Sequence, residues 1–323
     1  MRIVDPGSEL VLQEPPLREI VVVAEVLETL KGEAPAGELR FVRHAHGIVS
    51  YTPGEEVLLF VDRIAKSAEL SDSRIAEHVP WVSQQETSAK YALDENTRND
   101  ITTAVRAYAG LEKLAPGTRP AALRRITVEL LASPHPVLAS SALRDLVMAS
   151  NVSTNPAAEL PSLERVLANQ ETVIGIRIGL LAELERRGLV DGPPRWAELL
   201  RTTIASERLA VVRAVGAHPS EAVTRELTKL LAANDSQLVA TVAVSLGSPG
   251  NDAAVAPLAK LLSADEARVR MAAIRGLGKV ASPAARQTLS KAAASHPDPA
   301  TRRRAAAEVK VLTGRGDPER AGK

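Results

Sequence analysis

The chain has 323 residues, of which 45% are hydrophobic and 24% charged, and its 40 basic and 39 acidic side chains nearly cancel. This composition excludes a chain that is disordered throughout, and no apolar run approaches the ~18 residues that a membrane span needs. Cysteine is absent, which excludes disulfides, thiolate nucleophiles and metal sites with cysteine ligands.

Charge and aromatic residues divide the chain near residue 96. Residues 1–95 carry 9 basic and 17 acidic side chains, a net charge of −8, whereas the remainder carries 31 and 22, a net charge of +9. Five of the seven aromatic residues also lie before residue 96. The shift predicts two domains. We place an N-terminal extension at residues 1–18, a small β-domain at 19–95, a helical domain at 97–313 and a flexible tail at 314–323.

Short runs of apolar and β-branched residues follow the extension, separated by Gly and Pro turns such as Pro53-Gly54. These runs predict strands. The predicted strands cover Ile20–Leu27, Leu39–Val49, Val57–Val61, Pro80–Thr87 and Lys90–Leu93. Five short strands within about 80 residues favour a small β-barrel or sandwich.

This region resembles a β-domain of exported bacterial proteins that is similar to netrin-like, OB-type barrels. The resemblance is carried by Val23, Val26, Leu30-Lys31-Gly32, Pro53-Gly54-Glu55 and Leu58-Leu59-Phe60. It implies a small barrel over residues 19–95. Netrin-like protease inhibitors depend on a leading cysteine and on disulfides, which this chain lacks, so the resemblance does not imply protease inhibition.

The second half repeats with a fixed period. Gly216, Gly247 and Gly278 stand 31 residues apart, and each ends a segment with helical periodicity. The pairs Leu230-Leu231 and Leu261-Leu262 recur with the same spacing. A period of this length with two helices in each unit is typical of an α-solenoid, in which neighbouring repeats stack to bury one continuous core.

Residues 261–278 resemble HEAT repeats, specifically the short HEAT-like type that also occurs in phycobilin lyases. The resemblance implies about six two-helix repeats across residues 117–313, preceded by a helix at Ile101–Leu114. Arg208, Arg270 and Arg302 occupy the arginine position of that family. Val239 replaces the arginine in one repeat, which interrupts any continuous polar ladder.

Arginines of the repeats are the candidate binding residues. The predicted protein-binding set is Arg213, Arg270, Arg275, Arg302, Arg303 and Arg304. Arg213 and Arg275 stand two periods apart, so we expect them to face the same way. A basic strip favours a protein partner with an acidic surface. The opposite charges of the two halves also allow an alternative, in which the acidic β-domain docks on the basic solenoid of its own chain.

The sequence offers no catalytic motif. Walker A, G-x-S-x-G and H-E-x-x-H patterns are absent, and so is any His-Glu dipeptide, which argues against the di-iron hydroxylase built from HEAT repeats. We therefore expect no catalytic residue and no cofactor. His44 and His46 stand two apart on a predicted strand and are the candidate metal ligands, but the sequence fixes no third ligand for zinc.

These observations predict a non-enzymatic protein-binding or scaffolding protein that uses the solenoid surface. One alternative is nucleic-acid binding, which the shortage of aromatic stacking residues disfavours. Another is an enzyme, either a HEAT-repeat DNA glycosylase or a lyase-like protein, for which a base-excision site needs an acidic residue beside aromatics. Residues 1–18 contain no secretion signal, so we expect the envelope or periplasm if a leader has been removed and the cytoplasm otherwise.

Overall fold

A computed structural model describes residues 1–12, 17–43, 50–64, 75, 79–83, 90–148 and 156–315. The chain divides into two compact units, Met1–Leu138 and Ala139–Lys323. His44 and His46 lie outside the described residues, as does the predicted tail beyond residue 315. None of the described helices combines the length and the hydropathy that crossing a membrane requires.

The described part of the first unit contains seven strands. They are β1 Arg2–Leu12, β2 Leu17–Val26, β3 Gly37–Arg43, β4 Val57–Leu59, β5 Val61–Arg63, β6 Trp81–Ser83 and β7 Lys90–Ala92. One sheet has the order β1-β2-β3-β6-β5, and β4 pairs with β7 in a second sheet. Within the described residues β1 and β5 are the end strands of the larger sheet, and β1 and Met1 before it also make backbone hydrogen bonds to Gly54, Glu55 and Val57 around the start of β4. The predicted small β-domain is therefore confirmed as a β-sheet region, and among the described residues no ladder between β1 and β5 closes it into a barrel.

Alternation of side chains gives the larger sheet two buried faces. Val22, Ala24, Leu39 and Phe41 lie on one face, where they form a core with Ile3, Tyr51, Val57 and Leu59. Val21, Val42 and Val82 form a separate core on the other face with Ile64, Ile75 and Val79. The second sheet thus covers one face of the first, which is a layered arrangement of the sandwich kind.

Strand β1 lies inside the segment that the sequence analysis treats as an extension. It pairs with β2 over almost its whole length, with irregularities between Ile3 and Ser8. Gly7 lies in this irregular stretch with φ +157°, and a Cβ there would come 2.8 Å from Ile20 Cγ2. Proline and glycine commonly interrupt regular strand pairing. In the structure Pro6 and Gly7 belong to the bulged part of a strand.

Thirteen α-helices occupy the rest of the described chain. They are α1 Arg98–Gly110, α2 Arg119–Leu131, α3 Pro136–Met148, α4 Pro156–Ala168, α5 Ile174–Arg186, α6 Gly192–Thr202, α7 Arg208–Val215, α8 Glu221–Leu230, α9 Ser236–Leu246, α10 Val255–Leu261, α11 Ala267–Val280, α12 Pro283–Ser295 and α13 Pro299–Arg315. A short 3-10 turn at Asp252–Ala254 precedes α10.

Helices of the second unit form two layers. We call α4, α6, α8, α10 and α12 the A helices, and the helices that follow them in each repeat, α5, α7, α9, α11 and α13, the B helices. Each B helix contacts the next B helix along the chain. One continuous core extends from Leu181 to Leu312 between the layers. This arrangement confirms the predicted α-solenoid.

Each of the repeated glycines faces the next B helix along the chain. A Cβ at Gly247, which caps α9, would lie 2.6 Å from the backbone oxygen of Gly276 in α11. Gly216 faces Ser245 of α9, and the Ser245 hydroxyl donates to Val212 O of α7 at 2.8 Å. At Gly247 the absence of a side chain is therefore a steric requirement of the stack, since a Cβ there would meet the backbone of the next B helix.

Candidate functional site

Four arginines at one position of the repeat donate hydrogen bonds to carbonyls at the end of the preceding A helix or in the turn after it. The bonds join Arg177 Nε to Leu167 O (2.9 Å), Arg208 Nη2 to Thr203 O (3.4 Å), Arg270 Nη1 to Ala264 O (2.8 Å) and Asp265 O (2.6 Å), and Arg302 Nη1 to His296 O (2.6 Å) and Pro297 O (3.0 Å). The final carbonyls of a helix lack partners within it. The guanidinium groups of these arginines supply hydrogen-bond donors to such carbonyls and to those of the following turn.

Arg270 also reaches the next repeat. Its Nη2 lies 3.1 Å from Asp298 Oδ2, and its Nε donates to Thr301 Oγ1 at 3.1 Å. The Thr301 hydroxyl and backbone N–H both donate to the Asp298 carboxylate, and these bonds, with a further contribution from Arg270, hold the pKa of Asp298 well below its usual range. Asp298 therefore stays ionised and anchors the start of α13.

His296 makes a second connection at the same turn. Its Nδ1 accepts a hydrogen bond from Asp298 N at 3.1 Å, so its other nitrogen carries the proton in the neutral ring. That nitrogen, Nε2, lies 2.8 Å from Leu262 O at the end of α10. The ring thus joins an A helix to the turn of the following repeat.

The structure separates the six predicted protein-binding arginines into two groups. Arg270 and Arg302 are occupied by the turn carbonyls described above, and Arg304 pairs with Glu308 at 3.2 Å. Arg213, Arg275 and Arg303 are exposed. Within the described residues none of these three has a hydrogen bond or an ion pair.

Helices α7, α9 and α11 contain no aspartate or glutamate. Arg213 on α7 and Arg275 on α11 occupy the same repeat position, and Val244 holds that position on α9 between them. Leu209 and Met271 precede the two arginines by four residues, and both are partly buried against the solenoid core. We call these five residues, Leu209, Arg213, Val244, Met271 and Arg275, the B-face strip. It offers two exposed cations beside apolar side chains.

A cluster that the sequence analysis missed lies where α5, α6 and the end of α7 meet. The Glu185 carboxylate accepts hydrogen bonds from the indole N–H of Trp196 at 2.8 Å and contacts His218 Nδ1 at 2.6 Å. The His218 ring stacks on Trp196 with 4.2 Å between centroids. Glu185 stands 31 residues before Gly216. A glutamate at the glycine position of the repeat is the signal that could have revealed the cluster.

The first unit contains an open cleft of about 1000 Å³ between strands β4 and β5 and one face of α1. Phe60, Trp81 and Tyr108 line it, and Arg63 lies over the Trp81 ring at 5.1 Å. Ion pairs between Lys31 and Glu112 and between Arg106 and Glu28 join the β2–β3 turn to α1 and the residues after it. The cleft walls carry charges of both signs, so they favour no single class of ligand.

No group of three His, Asp or Glu side chains that could hold a metal ion occurs in the part of the chain that the structure describes. The candidate metal ligands His44 and His46 fall outside that part. The hypothesis of a metal site on their strand therefore stays a prediction.

A family model of HEAT repeats matches residues 255–320, which cover the last two helical repeats. No curated protein matches the chain. The family match agrees with the periodicity of the sequence and with the helix pairs of the second unit.

Comparison with solved structures finds several that match part of the chain. Human deoxyhypusine hydroxylase in complex with glycerol is 20% identical over 66% of this chain and 80% of that chain, with a TM-score of 0.34. A designed armadillo repeat protein in complex with the peptide (KR)4 is 19% identical over 59% of this chain and 99% of that chain, with a TM-score of 0.39. An engineered protein is 18% identical over 67% and 97%, with a TM-score of 0.34. Similarity at this level says nothing about what this chain binds.

Proposed function

We propose that the chain is a non-enzymatic scaffold that binds an acidic segment of a protein partner along the B-face strip. The observation that carries this proposal is that Arg213 and Arg275 share a repeat position and lack an acidic partner within the described residues. Both are exposed at the same repeat position, and neither has an acidic partner among the described residues. Their own helices and the helix between them contain no carboxylate.

Energetics favour a partner that combines charge with apolar side chains. A solvent-exposed ion pair contributes only about 0.2–1 kcal/mol, so two arginines alone would hold a carboxylate ligand weakly. Leu209, Val244 and Met271 add apolar surface beside the cations. A protein segment that supplies both kinds of contact fits the strip better than a small anion does.

Nucleic acid is the runner-up ligand. The phosphate backbone would pair with the same arginines, but single strands also need aromatic faces for base stacking. Trp196, the tryptophan of the second unit, is fully buried. The glycosylase alternative lacks support for the same reason, since the indole beside Glu185 offers no exposed face. Docking of the acidic residues 1–95 on the solenoid of the same chain, the netrin-like character of that region and the cellular location stay predictions.

Fluorescence anisotropy tests the proposal with defined probes and the full chain. The probes are a fluorescein-labelled peptide of the repeat Glu-Ser-Val-Ser-Val-Ser (the Glu–Val peptide), which presents Glu and Val on the same face of an extended chain, its analogue with Lys in place of Glu (the Lys–Val peptide), and a labelled oligothymidine. We expect the Glu–Val peptide to bind and the Lys–Val peptide not to bind. The double variant Arg213→Glu/Arg275→Glu should weaken binding of the Glu–Val peptide at least about tenfold, because both attractions become repulsions.

The matched control is Arg286→Glu/Lys291→Glu on α12, an A helix. Both side chains are exposed, and the variant changes the net charge by the same amount on the other layer. Equal loss of binding in the two double variants would show a general charge effect and refute the strip. Tighter binding of oligothymidine than of the peptide would replace the protein partner with nucleic acid. Circular dichroism checks that each variant keeps its helix content.

A further inference from the structure

We infer that the B-face strip recognises an extended acidic segment in which two carboxylates stand six residues apart, with apolar residues at the second and fourth positions between them. This inference rests on the proposed function and adds a sequence rule to it. The rule comes from the spacing of Arg213 and Arg275 across three packed helices.

The distance between the two cations follows from the helix packing. Helix α7 contacts α9, and α9 contacts α11. Hydrogen bonds fix their alignment, since Ser245 Oγ donates to Val212 O at 2.8 Å and Lys279 Nζ donates to Val244 O at 3.2 Å. Packed helices lie about 8–10 Å apart. Equivalent residues two steps along the stack are therefore about 16–20 Å apart.

An extended chain rises about 3.3 Å per residue, so this distance spans five or six residues. Side chains of an extended chain alternate between opposite faces. Residues i and i+6 point the same way, whereas i and i+5 point in opposite directions. The alternation therefore selects a spacing of six. By the same argument residues i+2 and i+4 also face the strip, on either side of Val244.

The charges of the neighbouring B helices limit the length of the segment. The same repeat position is Ala182 on α5 and Ala307 on α13. Neither adds a cation beyond Arg213 or Arg275. Arg303 lies four residues before Ala307, at the position that Met271 occupies in the preceding repeat, so it stands outside this row. The strip thus specifies about seven residues of a partner.

Peptides of equal composition test the spacing rule on the full chain by anisotropy. One labelled peptide, SSESVSVSESS, places its glutamates six apart, and its permutation, SSESVEVSSSS, places them three apart. We expect the first to bind about fivefold more tightly, because only it engages both arginines at once. Arg275→Ala should abolish this preference and leave the two peptides with equal affinity. The control variant Arg286→Ala should preserve it.

The outcomes separate this inference from the proposed function. Equal binding of both peptides to the unmodified chain, lost in Arg213→Glu/Arg275→Glu, would overturn the spacing rule and leave the acidic partner intact. Absence of binding for both peptides and for the Glu–Val probe would overturn the proposed function itself. A preference that persists in Arg275→Ala would show that the arginines do not set the spacing.

Discussion

The Arg270 guanidinium on α11 donates to the carboxylate of Asp298, which precedes α13, with Nη2 3.1 Å from Oδ2. The same side chain donates to two carbonyls of its own turn and to the Thr301 hydroxyl of the next repeat. One arginine therefore closes the turn within its repeat and links that repeat to its neighbour. Arg270 at this repeat position therefore has a structural role.

Arg270→Ala should lower the free energy of unfolding by about 2 kcal/mol, because it removes several hydrogen bonds to charged or buried partners. Arg268→Ala is the matched control on the same helix, since Arg268 is exposed and should change stability by less than about 0.5 kcal/mol. Urea unfolding followed by circular dichroism measures both. Equal effects of the two variants on stability would contradict the proposed role of Arg270 in linking the two repeats.

Asp298→Asn should reduce the loss of stability in acid. The pKa of Asp298 is lowered in the folded chain by donors from Thr301 and by Arg270, so its ionised form contributes stability above the unfolded pKa of about 4. That contribution is lost as pH falls below this value towards the folded pKa. Between about pH 5 and pH 3, we expect the melting temperature of the unmodified chain to fall more steeply than that of the variant. Parallel curves would refute the role of this carboxylate.

Gly247→Ala should destabilise the solenoid by about 2 kcal/mol, because the new methyl group would meet the backbone of Gly276, which cannot turn away. Gly278→Ala is the informative comparison. Its methyl group would meet the end of the flexible Glu308 side chain, and an alanine inside α11 gains about 0.5–1 kcal/mol of helix stability over glycine. We expect a nearly neutral effect there. Thermal unfolding that ranks Gly278→Ala as the more damaging change would disprove this account.

Glu185→Ala should cost about 1–3 kcal/mol, because it leaves the indole N–H of the fully buried Trp196 without an acceptor. Glu185→Gln keeps an acceptor oxygen and should cost less. Glu198→Ala on α6, where the exposed carboxylate only pairs with Arg195, is the control. Denaturant unfolding measures these effects through the fluorescence of Trp196 in a Trp81→Phe background. Equal losses of stability in all three variants would contradict a stabilising role of Glu185.

Strand positions show how far local pattern reaches. The sequence predicts β2, β3, β6 and β7 near their observed places, because each is an apolar run between turn residues. It predicts a single strand at Val57–Val61, whereas the structure breaks this run at Phe60. The two pieces pair with different partners, β4 with β7 and β5 with β6. The apolar run Val57–Val61 does not by itself indicate which distant strands its two halves will pair with.

The candidate site shows the same division. Periodicity places Arg213 and Arg275 at equivalent positions, and both are exposed in the structure. The same reasoning also selected Arg270 and Arg302, whose guanidinium groups bond the turn carbonyls. Sequence spacing identifies which residues share a position, but it does not reveal which of them a neighbouring backbone has already engaged.

The sequence by itself determined the solenoid, because helical segments recur with a fixed 31-residue period, which is typical of stacked two-helix repeats. It also determined the division of charge between the two halves. Only the tertiary structure decided how the strands pair, the formation of the Glu185–Trp196–His218 cluster and the partners of each arginine. The physical reason is that these features depend on contacts between residues that are distant in sequence, where donors and acceptors find partners that no local pattern specifies.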